Sequence, residues 1–212
     1  MAAVRARIAD AGGEGRVRLV AVTKGFGPEV VAAAVAAGVE DVGESYAQEL
    51  VGKAAEVDVP RWHFVGRLQA NKVRALAGTV DLWQSVDRAR VVDELARRVP
   101  GAQVLVQVDV SGEPSKGGCP PAQVPTLVER AAAAGLEPRG LMAVGPLGPA
   151  EDARPGFRAL VGLADELGLE ERSIGMSGDL EVAVEEGATM VRVGTALFGP
   201  RPPRHGAPHM GH

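Results

Sequence analysis

The feature that most constrains the fold of this chain is the regular alternation of short β-rich runs with segments of helical character. Eight β-rich runs lie between residues 18 and 193, and helical or loop-helical sequence follows each of them. Runs such as 18–23 and 103–110 are apolar at several consecutive positions, which is typical of parallel strands buried on both faces. Parallel strands need crossover connections, and repeated strand–helix units can close on themselves. The alternation therefore predicts an α/β fold, a single (β/α)8 TIM barrel over residues 1–200.

The expected elements follow this alternation along the chain. Strands are expected at 18–23, 39–42, 62–65, 80–86, 103–110, 138–144, 172–175 and 190–193. Helices are expected at 28–37, 45–56, 70–77, 87–98, 121–134, 157–167 and 180–186, with Asp87 as the cap of the fourth. A doubly wound open sheet is the competing architecture. No Gly-x-Gly-x-x-Gly follows the first strand, so a Rossmann-type dinucleotide site has no support.

Composition and charge argue against several classes of protein. A formal net charge of -4 gives no broad electrostatic reason to bind nucleic acid or an anionic membrane. Residues 1–10 lack the continuous apolar segment of a signal peptide, and the longest apolar run, 30–37, is too short to span a bilayer. The single cysteine, Cys119, rules out an internal disulfide framework. We therefore expect a cytoplasmic protein with a disordered tail at residues 201–212, which are rich in Pro, Gly and His.

Lys24 is the most informative polar residue of the sequence. In a (β/α)8 barrel the active site lies at the carboxyl ends of the strands, and Lys24 directly follows the first β-rich run. A lysine that ends a buried strand is partly desolvated, which lowers the pKa of its amine towards the neutral, nucleophilic form. Such lysines form Schiff bases with carbonyl compounds. The alternative is a lysine whose ammonium group simply extends into solvent.

Gly-, Ser- and Thr-rich turns follow the last two predicted strands, at 175–180 and 191–199. Loops at these places in a barrel frequently bind phosphate through backbone N–H groups and the start of a short helix. Ser177 and Thr195 add hydroxyl donors, and Gly194 permits close approach of the backbone. An amine facing a phosphate-binding loop is what a phosphorylated aldehyde needs. The pattern therefore points to pyridoxal 5'-phosphate (PLP) as cofactor.

Several short motifs together resemble one protein family. They are Val22-Thr-Lys24, Gly43-Glu-Ser-Tyr46, Trp62-His-Phe-Val-Gly66, Gln69-Ala-Asn-Lys72, Gly140-Leu-Met142, Gly175-Met-Ser177 and Val191-Arg-Val-Gly-Thr-Ala-Leu-Phe-Gly199. In this order they resemble the pyridoxal phosphate homeostasis proteins, which are single-domain relatives of the alanine racemase barrel. The resemblance spans residues 18–200.

The resemblance implies a set of cofactor-binding residues. Lys24 would be the Schiff-base lysine, Arg192 would face the pyridine nitrogen, and the phosphate and pocket contacts would come from Ser177, Gly194, Thr195, Asn71 and Met142. Two departures stand out. The family commonly has Asn where this chain has Ser45, so an amide contact near the cofactor is altered. The chain also begins close to Lys24, so the first family helix is expected to be short or truncated.

Three polar residues have alternative interpretations. Arg192 lies between Val191 and Val193 and points away from them, towards the cofactor, although pairing with Glu181 or Glu185 is the alternative. An arginine only donates hydrogen bonds, so the ring nitrogen it faces stays unprotonated, which weakens the cofactor as an electron sink. His63 is expected to face the core rather than act in catalysis. Asp109 is either a base or the cap of a turn.

The sequence is compatible with three functions. The favoured one is a PLP-binding homeostasis protein that holds the cofactor on Lys24 with little or no turnover, and PLP-dependent apo-enzymes are its possible recipients. A small PLP-dependent racemase or decarboxylase is the first alternative. It is disfavoured because alanine racemases take a catalytic tyrosine from a second domain, whereas the only tyrosine here is Tyr46. A cofactor-free Schiff-base aldolase is the second alternative. Without the racemase's second domain, we expect a monomer.

Overall fold

The computed structural model describes residues 1–113 and 115–201, and it confirms the (β/α)8 barrel. Eight parallel strands pair in sequence order, and β1 pairs with β8 to close the sheet. The bounds of the strands are β1 Arg18–Val22, β2 Asp41–Glu44, β3 Arg61–Phe64, β4 Leu82–Val86, β5 Gln103–Gln107, β6 Glu137–Met142, β7 Glu171–Ser173 and β8 Met190–Val193. The expected disordered tail lies outside the described residues, apart from Arg201.

Helices connect the strands on the outside of the barrel. They are α1 Ala2–Asp10, α2 Pro28–Ala36, α3 Ala47–Glu56, α4 Val73–Leu76, α5 Ala89–Arg98, α6 Val124–Ala133, α7 Arg154–Glu166, α8 Leu180–Glu185 and α9 Thr195–Phe198. Single turns of 3₁₀ helix at Ala70–Lys72, Pro121–Gln123 and Ala150–Ala153 precede α4, α6 and α7. No helix in the described part of the chain is both long and apolar enough to cross a bilayer.

Some expected boundaries are wrong, and local hydrogen bonds show why. The second strand begins at Asp41 rather than Val39, because the Val39 N–H donates to Ala34 O and so completes the end of α2 after Gly38. Asp87 does not cap α5. The N-cap is Arg88, no side chain caps this helix, and the Asp87 carboxylate pairs with the Arg88 guanidinium instead.

The apolar core is divided between two layers. Most buried apolar side chains lie between the strands and the surrounding helices, where Trp83 and Phe157 are among the largest. A much smaller cluster fills the barrel interior and consists of Val20, Leu82, Leu105, Met142 and Met190. The rest of the interior is therefore available to polar side chains, among them His63, Gln84 and Ser173.

We expect the inner cluster to stabilise the barrel despite its small size. Leu105→Ala should lower the free energy of unfolding by about 2–5 kcal/mol, because the side chain is fully buried and its removal leaves a cavity. Urea denaturation followed by circular dichroism measures this change. Leu147→Ala is the matched control, since Leu147 is 78% exposed and should change stability by less than about 0.5 kcal/mol. Equal effects of the two substitutions would contradict the inner layer.

Candidate functional site

A cavity of about 360 Å³ lies at the carboxyl ends of the strands. Its volume is within the range typical of small-molecule sites. Its lining comes mainly from the ends of β1, β7 and β8 and the loops after them, and consists of Val22, Lys24, Phe26, Ser45, Val65, Val144, Met176, Ser177, Gly178, Arg192, Gly194, Thr195, Gly199 and Arg201. The structure thus brings five of the seven proposed cofactor residues to one cavity.

The Lys24 side chain is half-buried in this cavity. No hydrogen bond or ion pair within the described residues involves its amine. Burial lowers the pKa of Lys24, the positive charge of Arg201 lowers it further, and Glu44 and Arg192 act in opposite directions. A lowered pKa increases the fraction of the amine that is unprotonated and therefore nucleophilic.

Hydrogen bonds fix the backbone on both sides of Lys24. The buried amine of Lys53, on α3, donates to the carbonyl oxygen of Thr23 at 2.8 Å. On the other side, the N–H of Gly25 donates to Glu49 Oε2 at 2.7 Å. Because Thr23 and Gly25 flank Lys24, α3 sets the position from which the Lys24 side chain enters the cavity.

A buried ion pair joins these contacts. The Lys53 amine also contacts Glu44 Oε2 and, at 3.2 Å, Glu49 Oε2. Glu44 is fully buried at the end of β2, and its other oxygen accepts the backbone N–H of Ser45 at 2.6 Å. Burial raises the pKa of Glu44, and the hydrogen bond and charge of Lys53 oppose this rise. This cluster was not predicted from the sequence, because its signal there, the i, i+4 spacing of Glu49 and Lys53, also fits an exposed helix pair.

The loops after β7 and β8 present unused hydrogen-bond donors. The backbone N–H groups of Ser177, Gly178, Gly194 and Thr195 have no acceptor within residues 1–113 and 115–201. The Ser177 hydroxyl accepts the N–H of Ala196 at 3.2 Å and so joins the two loops at the start of α9. Backbone donors that converge in this way suit a phosphate group.

The N-terminal helix holds the first of these loops. Arg7, on α1, donates to the carbonyl oxygen of Ser177 at 3.1 Å and forms an ion pair with Glu181 at 2.5 Å. From the sequence, a short or truncated first helix was expected, with no part in the site. The structure shows a helix of nine residues whose arginine reaches the loop after β7.

Arg192 is buried among neutral oxygens. Its guanidinium donates to Ser173 O at 2.5 Å, to Ser173 Oγ at 2.8 Å and to Ala143 O at 2.7 Å. The alternative pairing is wrong, since Glu181 pairs with Arg7 and Glu185 pairs with Arg154. Burial lowers the pKa of Arg192 to about 10, so the group stays charged at neutral pH.

Two proposed cofactor residues do not line this cavity. Asn71 is exposed on the turn before α4 and lines a separate pocket with Asp93 and Glu94 of α5. Met142 is buried one layer deeper, in the inner cluster against which Val144 packs. Both belong to motifs of the family, but in this structure neither side chain reaches the cavity. The assignment of Asn71 and Met142 as cofactor-binding residues stays a prediction that rests on the family resemblance.

The other polar residues singled out in the sequence have structural roles. Asp109 caps a turn, because its Oδ1 accepts the backbone N–H of Gly112 at 2.8 Å and of Ser111 at 3.2 Å. His63 is buried inside the barrel, as expected, and its ring contacts Asp41 and Gln84.

A second cavity, of about 510 Å³, lies at the opposite end of the barrel. Arg5, Arg18 and Arg61 line it, and each of them donates a hydrogen bond to an oxygen of the protein itself. Although this cavity is larger, its cations are already paired. The cavity at the carboxyl ends, with an unpaired amine and unused N–H donors, is the better candidate.

Comparison with known proteins shows the family to which the chain belongs. The family model described as "Alanine racemase, N-terminal domain" matches residues 2–202. The pyridoxal phosphate homeostasis protein of Pseudomonas aeruginosa is 45% identical to this chain, with 98% of this chain and 96% of that protein covered. The protein of the same name from Escherichia coli is 38% identical over 87% of this chain and 86% of its own length.

Solved structures agree with this similarity. The structure of PipY from Synechococcus elongatus without PLP is 33% identical and superposes with a TM-score of 0.83, covering 92% of this chain and 100% of PipY. PipY with PLP bound is 31% identical over the same shares of the two chains and gives a TM-score of 0.76. A lysine/ornithine decarboxylase from Vibrio vulnificus, at 17% identity and a TM-score of 0.71, shares the fold.

The buried ion pair behind Lys24 makes a stability prediction. Lys53→Met should destabilise the protein by about 3–5 kcal/mol, because it leaves the Glu44 carboxylate buried without a cation. Burial already raises the pKa of Glu44 in the folded state. The folded variant therefore holds a proton that the unfolded chain has lost, and stability falls as pH rises through this window.

Urea denaturation at pH 5 and pH 8 measures both effects. The loss in Lys53→Met should be larger at pH 8, and the double variant Lys53→Met, Glu44→Gln should recover part of it. Lys72→Met, at a lysine outside the cluster, is the control. A loss that is the same at both pH values would argue against an uncompensated carboxylate.

Proposed function

The chain belongs to the family of pyridoxal phosphate homeostasis proteins, which share the alanine racemase N-terminal fold, and from this premise we propose that it binds PLP in the cavity of about 360 Å³ at the carboxyl ends of the strands. One observation carries the proposal. The unpaired amine of Lys24 and the unused N–H groups after β7 and β8 line the same cavity. An amine for an aldehyde and a cup of donors for a phosphate are the two groups that PLP requires.

Lys24 supplies the covalent attachment in this proposal. Its neutral amine attacks the aldehyde carbon, a carbon–nitrogen double bond forms, and the carbonyl oxygen leaves as water. Addition of water reverses the step and returns the free aldehyde together with the free amine. The lowered pKa of Lys24 favours this reversible capture near neutral pH, because a larger fraction of the amine is unprotonated.

The loops after β7 and β8 bind the phosphate in this proposal. The N–H groups of Ser177, Gly194 and Thr195 donate to the phosphate oxygens, and the hydroxyl of Thr195 is exposed at the rim of the cavity. Arg7 holds the first loop in place through the Ser177 carbonyl. Arg192 and Arg201 contribute positive charge to the same cavity, which favours a dianionic ligand.

Arg192 supports a low rate of turnover. PLP, when bound, supplies an electron sink for amino-acid chemistry, and that sink is strong when the ring nitrogen is protonated. A guanidinium donates and cannot accept, so it holds a facing ring nitrogen in the unprotonated form. The pKa of Arg192, about 10, leaves the guanidinium charged at neutral pH. We propose that the protein holds PLP rather than transforms amino acids.

The wider role follows from reversible attachment. We propose that the protein acts in PLP homeostasis in the cytoplasm as a monomer, and that apo-enzymes that use PLP receive the cofactor it holds. The hydrolysable bond to Lys24 supports this role, because release needs only water and leaves both partners unchanged.

The attachment to Lys24 is tested by absorbance. Wild-type protein mixed with equimolar PLP and then desalted to remove the unbound cofactor should retain a visible band that borohydride removes, whereas Lys24→Ala should not. Lys72→Ala, at another half-buried lysine outside the cavity, should behave as wild type. The proposal would be abandoned if the wild-type protein stayed colourless or if Lys24→Ala kept the band.

The low turnover is tested by isotope exchange. Holo-protein incubated with L-alanine and other amino acids in D2O should incorporate deuterium at the α-carbon far more slowly than ~1 s⁻¹, a rate at the lower end for enzymes. Exchange at that rate or faster would favour the racemase or decarboxylase alternative. A colourless protein that borohydride traps on a sugar-derived carbonyl would favour the aldolase.

A further inference from the structure

A continuous path of buried hydrogen bonds crosses the barrel interior from one mouth to the other. Its members, here called the internal path, are Arg192, Ser173, Gln84, His63 and Asp41. Successive contacts measure 2.8 Å, 2.6 Å, 2.7 Å and 2.9 Å. Each of the five side chains is buried. Arg192 lines the cavity at the carboxyl ends of the strands, whereas Asp41 lines the cavity at the opposite end.

The chemistry of the groups gives the path one direction. Arg192 can only donate, so Ser173 Oγ accepts from it, and the single hydroxyl proton of Ser173 is free to go to Gln84 Oε1. With its oxygen used in this way, Gln84 turns its amide nitrogen to His63, where Nδ1 accepts and Nε2 keeps the proton. That proton is donated to Asp41 Oδ1. Every donor therefore points from Arg192 towards Asp41.

The far end of the path is anchored by a second arginine. Asp41 accepts two hydrogen bonds from Arg61, at 2.7 Å and 2.9 Å, besides the one from His63. Burial alone would raise the pKa of Asp41, but the hydrogen bonds from Arg61 and His63 and the charge of Arg61 hold it well below its ordinary value. The path thus ends in a carboxylate that accepts from His63 Nε2, and in this tautomer of the imidazole Nδ1 is the acceptor for Gln84.

This arrangement has a consequence for Arg192. The Ser173 hydroxyl is a rotor, and its lone pairs face the guanidinium only while its proton is held by Gln84. Gln84 in turn is held by His63 and by a contact of its amide nitrogen with Met190 Sδ at 3.1 Å. Hydrogen bonds aligned head to tail polarise one another, so the loss of one link weakens its neighbours.

We propose that Gln84 and His63 are positioning residues that hold Arg192, through Ser173, in the orientation that presents a donor to the ring nitrogen of bound PLP. This inference rests on the proposed function. It extends the site to side chains that do not line the cavity and assigns a role to the polar groups of the barrel interior. Apolar side chains of similar volume would fill that space without the cost of burying polar groups, so the retained path calls for a function beyond packing.

The central experiment compares two buried glutamines. Gln84→Met removes both amide contacts of the path while keeping the side-chain volume close to the original. Gln107→Met is the matched control, because Gln107 lies on the neighbouring strand β5, is also buried, and donates to the Lys116 carbonyl outside the path. We expect Gln84→Met to shift the absorption maximum of the PLP-loaded protein and to weaken PLP binding up to about tenfold, the loss of one hydrogen bond. Gln107→Met should do neither.

A double-mutant cycle separates positioning from general damage. Ser173→Ala removes the link between Gln84 and Arg192, so Gln84→Met should have no further effect on the spectrum in that background. Independent, additive shifts from the two substitutions would overturn the inference. Circular dichroism verifies that each variant is folded.

A measurement on wild-type protein without PLP covers the case in which a variant does not fold. Nitrogen NMR of His63 at pH 7 should show the proton on Nε2 and an unprotonated Nδ1. A proton on Nδ1 would overturn the inference, since Gln84 would then have to turn its oxygen to His63. Failure of the proposed function looks different, because the wild-type protein would form no visible band with PLP whatever the state of His63.

Discussion

The pairing of β1 with β8 is the interaction on which the site depends. It closes the barrel and sets Val20 beside Arg192, so that the strand that leads to Lys24 lies next to the strand that carries Arg192. The loops after β7 and β8 then open beside Lys24, and one cavity receives an amine from the start of the chain and N–H donors from its end. Without this closure, the amine and the donors would belong to opposite edges of an open sheet.

Burial and pairing distinguish the charged groups in and behind this cavity. The Lys24 amine gains reactivity because burial lowers its pKa and no partner restores it. Lys53, only 4% exposed, instead forms an ion pair with Glu44. Its amine also donates to the carbonyl oxygen of Thr23 and so fixes the backbone next to Lys24. The same distinction separates Arg192, bonded to neutral oxygens, from Arg61, bonded to a carboxylate. The two cations to which we assign a function, Lys24 and Arg192, are therefore those without an ion-pair partner among the described residues.

Strand-end positions made much of this site predictable. Lys24, Ser177 and Thr195 follow β-rich runs, and parallel strands bring their carboxyl ends together. Asn71 and Met142 entered through the family resemblance alone, and the structure places Asn71 at the surface and Met142 below the cavity. Contacts between distant segments, such as Arg7 with Ser177, have no periodic signal in the sequence. The internal path was missed for the same reason, because five strands each contribute one polar residue, and these residues look unrelated before the barrel closes.

The most direct test of the central claim is to find where PLP becomes attached. Protein treated with PLP and then with borohydride is digested, and the modified peptides are identified by mass spectrometry. The sequence contains four lysines, at 24, 53, 72 and 116. Stoichiometric modification of Lys24 is expected with PLP, and much weaker modification with pyridoxal, which lacks the phosphate that the loops after β7 and β8 would bind. Modification spread over Lys72 and Lys116, or equal modification by the two aldehydes, would contradict a site built from one amine and one phosphate cup.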